Sequence, residues 1–308
     1  MMDHAEITPR QKVENYHFPA DAHLLDPASG LLYCAIPKVG CSTGKRWFLS
    51  IAEPGILDGP SPPDIHSRCR ERWALALIED RAERARGSLG GLAFAAVRHP
   101  LDRIASAYTE KFAAVYRRDL FLPANELAAR VEAARAGGTT GVSFAEFVEH
   151  LTAAPDEALD SHWRPQASFL RLRNDYLIAP IERLTDTLGL IGESLGHGPV
   201  GPDSVNLTPY SEDPAADPPE VLSKRSSTDL YAADIRPRAA GLYTDRLRDL
   251  VLARFAADVD LYRRAREAWS ESSVRRSIHR FRSPVRGVAT RAASPTMSTE
   301  SAGIPARS

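Results

Sequence analysis

The stretch LLYCAIPKVGCSTGKRWF, Leu31 to Phe48, constrains this chain more than any other. Leu31 to Ile36 is an apolar run with the length of one buried strand. Pro37 and Gly40 break it, and Trp47, Phe48 and Ile51 resume at helical spacing. Strand, glycine-containing turn and helix together make a cradle for an anion. The first N–H groups of such a helix have no intrahelical partner, and the macrodipole adds partial positive charge there. Lys38 at the mouth, with Ser42 and Thr43 in the first turn, brings further donors.

The nucleotide P-loop needs GxxxxGK followed by Ser or Thr, whose hydroxyl serves Mg²⁺. Here Gly40 and Gly44 enclose three residues and Lys45 is followed by Arg46, so spacing and metal-ligand hydroxyl both differ. A second apolar run, Leu92 to Val97, leads into RHPLDRIASAY, Arg98 to Tyr108. A guanidinium binds phosphate through two parallel charge-assisted hydrogen bonds. A helix opened by Pro100 can turn the Ser106 hydroxyl toward the same oxygens.

PKVGCSTGKR and the Arg98/Ser106 pair together resemble the two donor-binding motifs of sulfotransferases. The closest resemblance is to the family that includes the carbohydrate sulfotransferases, whose loop typically runs Pro-Lys-Val-Gly-Cys-Thr-Asn-Trp-Lys-Arg. The resemblance covers residues 31–265. It implies an α/β fold of three layers, P-loop-like, with a short parallel sheet flanked by helices. It also implies 3′-phosphoadenosine-5′-phosphosulfate (PAPS) as donor, a hydroxyl of a carbohydrate or related acceptor, and no metal. On that reading Lys38, Val39, Gly40, Cys41, Ser42 and Thr43 hold the 5′-phosphosulfate, and Lys38 stabilises the departing phosphate. Arg98 and Ser106 hold the 3′-phosphate. The family's loop Trp is Gly44 here, and Trp47, nearly one turn on, is the candidate to stack on adenine in its place.

Sulfuryl transfer also requires a base for the acceptor hydroxyl, and histidine suits neutral pH. His66 lies between the two motifs, where related sulfotransferases commonly carry a catalytic histidine. His162 is the alternative. With Trp163 it falls in DSHWRPQ, Asp160 to Gln166, which resembles the family's Asp/Glu-x-His-Trp segment and implies a place on the acceptor side. His99 reads as orienting its turn, and Glu110 and Lys111 as part of the family's helix pattern. Asn206 to Thr208 resembles a segment preceding the last donor-contacting loop. Lys224 and Arg225 either close over the nucleotide phosphates or form a solvated basic turn. Asp258 and Tyr262 resemble the ending of the family's C-terminal helix and read as packing.

Elsewhere, periodicity predicts helices over 68–86 (capped by Ser67, stopped by Gly87), 100–118, 125–136, 143–153, 184–195 and 243–255. Ser143 and Glu146 form a capping box, and Tyr176 to Ile178 is a third strand. Residues 1–30 read as an arm and 270–308 as a disordered tail. That tail carries a net +5 from residue 271 onward, so the remainder stands at about −6 and the whole at −1. Near-neutral charge argues against general nucleic-acid affinity, and the tail is a candidate for weak membrane association. Cys34, Cys41 and Cys69 form no metal spacing and no even disulfide set, which points to a reduced compartment. With no apolar N-terminal core and no bilayer-length run, the expectation is a soluble, cytoplasmic chain. Two rivals stand beside the transferase reading: an Mg²⁺-dependent kinase on the same fold, and a nucleotide-binding protein without turnover.

Overall fold

Four short strands make one mixed sheet in spatial order β1-β2-β3-β4. They are β1 (His23–Asp26), β2 (Leu31–Cys34), β3 (Ala93–Val97) and β4 (Leu177–Pro180). The computed structural model describes residues 18–58, 64–75, 91–113, 127, 141–197 and 217–282. β2, β3 and β4 run parallel, with Tyr33 opposite Phe94 and Phe94 opposite Leu177. Every residue of β2 and β3 is buried, as unbroken apolar runs require of strands covered on both faces.

The three parallel strands meet the expectation of a short parallel sheet, and β1 adds to it. It pairs antiparallel with β2, inside the region read as an arm. The reason is burial: Leu24 packs in the core, and His23 is fully enclosed between the Pro19 carbonyl and the Tyr176 hydroxyl, 2.8 Å from each.

Two helices connect the first anion loop to the second strand's partner. α1 (Cys41–Ala52) buries Trp47, Phe48, Leu49 and Ile51. α2 (Ile65–Trp73) is capped by Asp64, whose side chain accepts from the Ser67 N–H, and not by Ser67 itself. A carboxylate at the N-terminus gains from the helix dipole. Glu53, at the end of α1, accepts a 2.9 Å hydrogen bond from Arg68 and forms a 2.8 Å ion pair with Arg72, which fixes α2 against α1. The remainder of the helix expected to Arg86, with Gly87, lies outside the described residues.

α3 (Pro100–Tyr108) follows β3 and passes into a π-helical turn, Thr109–Ala113. α4 (Phe144–Ala153) carries the expected Ser143/Glu146 capping box. Its Phe144 and Phe147 meet Tyr108, Phe112 and Trp163 in a second, aromatic core. α5 (Leu184–Ser194) returns against the sheet, three short helical turns lie between residues 219 and 242, and α6 (Asp245–Arg254) and α7 (Ala256–Ala268) follow.

The chain does not stop ordering at residue 270. α8 (Glu271–Arg282) packs on α5, with Val274 and Ile278 buried and Phe281 beside them. The spacing i, i+4, i+7 is one helical face, so an Arg/Ser-rich segment still buries an apolar stripe. Residues 283–308, 1–17, 114–118, the 125–136 helix apart from Leu127, and Asn206 to Thr208 lie outside the described residues. Among those described, no helix is long and apolar enough to cross a membrane.

Burial pushes His23 down to about 4, against the hydrogen bond to Pro19. Between that value and the ordinary 6.5 the unfolded chain binds a proton that the folded chain refuses, so stability falls as pH falls through this window. Urea midpoints should show a loss of about 2 kcal/mol from His23 alone between pH 7 and pH 5. A His23→Asn variant with the same pH slope as the wild type would rule this out.

Candidate functional site

The carboxyl ends of β2 and β3 lie side by side, and the two anion motifs leave from them. This is the edge where open α/β sheets bind ligands. The loop after β2 turns through two left-handed residues, Lys38 at φ 68° and Gly40 at φ 75°. Gly40 has no room for a side chain: a Cβ there would stand 2.5 Å from Leu184 Cδ2. It is the N-cap of α1, with no side-chain cap and no acid in the first turn. The first N–H groups therefore face outward for an anion. Val39 is buried and offers the loop its backbone only, while Cys41, Ser42 and Thr43 are half-buried along the first turn.

The structure joins the two motifs directly. Arg98 Nη1 donates to the Lys38 carbonyl at 3.4 Å. Arg98 is held from behind by the fully buried Gln166, whose amide accepts from the Arg98 N–H and donates to its carbonyl, each at 2.9 Å. Asp258 in turn accepts from the Gln166 and Ala167 N–H groups at 2.7 Å and 2.9 Å. Ser106 is buried in α3, and its hydroxyl has no hydrogen-bond partner among the described residues. A bare helix N-terminus and a phosphate-type guanidinium with an unpartnered hydroxyl fit a ligand carrying two anionic groups.

Lys38 is 9% exposed and pairs with Glu110, which also lies 3.5 Å from Lys111. Burial draws the Lys38 ammonium below the usual lysine value, and Glu110 opposes that pull. Burial would raise Glu110, but contact with Lys38 outweighs it and keeps the carboxyl below its ordinary range. Both Glu110 and Lys111 sit in the π-helical turn, a local winding often found at functional sites.

His66 reaches the site from the start of α2. The Lys45 ammonium donates to its Nδ1 at 3.2 Å, which leaves the proton on Nε2, 3.2 Å from the Ser42 hydroxyl. Burial first, then the charge of Lys45, pushes the ring down to about 4. In this arrangement neither nitrogen presents a lone pair to an acceptor hydroxyl, which a base requires.

His162 is also at the site, on the segment after α4. Its Nδ1–H donates to Asp160 Oδ1 at 2.6 Å. Burial lowers the ring's pKa, Asp160 opposes this, and the charges of Lys111 and Lys38 add to the lowering. Trp163 is different. It is fully enclosed between Phe112 and Phe147 and belongs to the aromatic core, so it is not the acceptor-side residue expected.

Trp47 is likewise buried, edge-on to Phe94, and cannot stack on a ligand. The space beside Gly44 is filled by Tyr33: a Cβ on Gly44 would stand 2.0 Å from its hydroxyl. Lys224 is exposed, and Arg225 is paired with Asp217 at 3.0 Å. His99 caps α3, accepting from the Leu101 N–H at 3.3 Å, which agrees with an orienting role.

Arg103 was not legible in the sequence as a site residue. It is 1% exposed, and its guanidinium donates to the carbonyls of Pro37 at 3.0 Å, Arg164 at 2.7 Å and Ser161 at 3.1 Å. It binds the first loop to the His162 segment. Gln166 was missed for a similar reason: its partner Arg98 is 68 residues away. Among the described residues no cluster of His, Cys, Asp or Glu could hold a metal ion.

Comparison with known proteins agrees with this geometry. The chain is 34% identical over 138 residues to carbohydrate sulfotransferase 14 of Homo sapiens, covering 44% of this chain and 35% of that one. It is 28% identical over 184 residues to carbohydrate sulfotransferase 14 of Danio rerio (56% and 48% covered) and 25% over 201 residues to that organism's carbohydrate sulfotransferase 11 (58% and 55%). The chain thus spans about a third to a half of the length of the curated relatives it matches. No solved structure matches it. The profile of the sulfotransferase family matches residues 21–188, starting just before β1 and ending within α5, more than half of the chain. This chain belongs to the sulfotransferase family.

Proposed function

We propose that the chain transfers the sulfuryl group of PAPS to a hydroxyl of a carbohydrate or related acceptor. The observation that carries this reading is the Arg98 to Lys38 carbonyl bond, which sets the two anion motifs on one sheet edge. The relatives named carbohydrate sulfotransferases support the acceptor class.

On this reading the α1 N-terminus with Lys38, Ser42 and Thr43 holds the 5′-phosphosulfate, and Arg98 with Ser106 the 3′-phosphate. The donor supplies an activated sulfuryl group. The protein's share is positioning and charge stabilisation, with Lys38 beside the oxygen that takes up negative charge. Glu110 gives up Lys38 as the donor binds and keeps Lys111. His66 holds Ser42 and Lys45 in the loop's first turn. Three free thiols belong to the same proposal, that the protein works in a reduced compartment.

Calorimetry with 3′-phosphoadenosine-5′-phosphate, ADP and ATP, with and without Mg²⁺, tests it. The expected result is preference for the 3′-phosphorylated nucleotide without Mg²⁺; preference for ATP with Mg²⁺ would install the kinase reading instead. Arg98→Ala should weaken 3′-phosphoadenosine-5′-phosphate binding by about 2 kcal/mol or more, roughly thirtyfold, as a lost charge-assisted bond does. Unchanged affinity would remove Arg98 from the 3′-phosphate.

A further inference from the structure

A base for the acceptor hydroxyl must have a lone pair free, a fixed orientation and a place beside the leaving-group lysine. His162 meets all three. Its Nδ1–H is spent on Asp160 at 2.6 Å, so the neutral ring keeps its lone pair on Nε2. Asp160 also accepts the His162 backbone N–H at 2.9 Å, so one carboxylate fixes both backbone and ring. Nε2 has no partner among the described residues and is not sealed from solvent; the side chain is 22% exposed.

The position follows from Arg103. Its one buried guanidinium donates to the Pro37 and Ser161 carbonyls, the residues immediately preceding Lys38 and His162. A guanidinium is planar and rigid, so the loop lysine and the histidine are held in fixed register. The charged groups that act on the ring are Asp160 on its own segment, Lys38 from the loop, and Glu110 and Lys111 from the π-helical turn. His66 lacks the first requirement, since Lys45 covers its one lone pair.

We propose that His162, oriented by Asp160, is the base that takes the acceptor's proton. The assignment rests on the sulfuryl-transfer reading above. In the balanced step one S–O bond forms to the acceptor oxygen as the S–O bond to the donor's phosphate breaks. The acceptor's proton passes to His162 Nε2, and the electron pair of the broken bond stays on the departing phosphate oxygen beside Lys38. His162 is the catalytic residue and Asp160 a positioning residue.

The test uses the full chain and His162→Gln and Asp160→Asn variants, with thermal melting to confirm that each folds. Turnover is read as release of 3′-phosphoadenosine-5′-phosphate from PAPS in a mixture of p-nitrophenyl glycosides, so that transfer to acceptor and to water both register. Nucleotide binding is read separately by calorimetry. For His162→Gln the expected result is a fall of at least about a hundredfold in turnover with nucleotide affinity within about twofold of wild type. Asp160→Asn should lose about tenfold or more and move the acid limb of the pH profile downward, because the carboxylate favours imidazolium. An Asp160 that only shaped the turn would not move that limb. Turnover of His162→Gln within about fivefold of wild type, with binding intact, would overturn the assignment. Failure of the wild type to bind 3′-phosphoadenosine-5′-phosphate would instead overturn the donor reading beneath it, and the assignment with it.

Discussion

Replacing Lys38 by alanine is expected to slow turnover of the proposed donor, PAPS, by about a thousandfold, the scale of one preorganised charge removed from a water-poor site. Lys38 is 9% exposed and is set at the loop's mouth by its own backbone. That backbone supplies a second test. A residue with a Cβ pays about 1 kcal/mol or more for the left-handed conformation at φ 68°, and glycine does not. Lys38→Gly and Lys38→Ala both lose the ion pair to Glu110, so comparing them isolates the strain. The glycine variant should unfold at higher urea than the alanine variant while being equally inactive. Turnover within tenfold of wild type in either would show that Lys38 does not stabilise the leaving group. Equal urea midpoints would show that the loop relaxes and holds no strain.

The largest effect on stability is expected at Arg103. Its guanidinium satisfies three carbonyls from two separate loops and lies near the buried Asp258. Burial lowers its pKa to about 10, and Asp258 opposes that shift, so it remains charged at neutral pH. Alanine would leave three part-buried carbonyls without their donor and remove a positive charge near the buried Asp258, a loss of about 3 kcal/mol or more. Lysine keeps the charge but not the planar fork, and should recover less than half of that. Equilibrium urea unfolding measures both. A loss below about 1 kcal/mol for Arg103→Ala would mean that water replaces the guanidinium and that the two loops are held by other contacts.

The strand, loop and helix of residues 31–48, the second motif from Arg98 and the Ser143/Glu146 box were legible because each is local. Apolar runs set strands, 3.6-residue spacing sets helices, and caps lie three residues apart. The edge strand β1 was less legible, since polar His23 and Asp26 bound its two leucines and leave no apolar run. α8 was hidden under an Arg/Ser-rich composition, although three apolar residues at helical spacing suffice to dock it.

The sequence alone thus determined that two strand-turn-helix motifs of the anion-cradle type sit at strand ends, because apolar runs, turn residues and helical spacing are read within a dozen residues. It did not determine what each aromatic or ionisable side chain faces. Trp47 and Trp163 lie beside site residues in the chain yet turn into the cores, because Phe94 and the Phe112/Phe147 pair stand where they can pack. Lys38 meets Glu110 across 72 residues, Arg98 meets Gln166 across 68, and Arg103 ties Pro37 to Ser161. Such pairings follow from which elements pack together. That is decided by burial summed over the whole fold, and no local spacing encodes it.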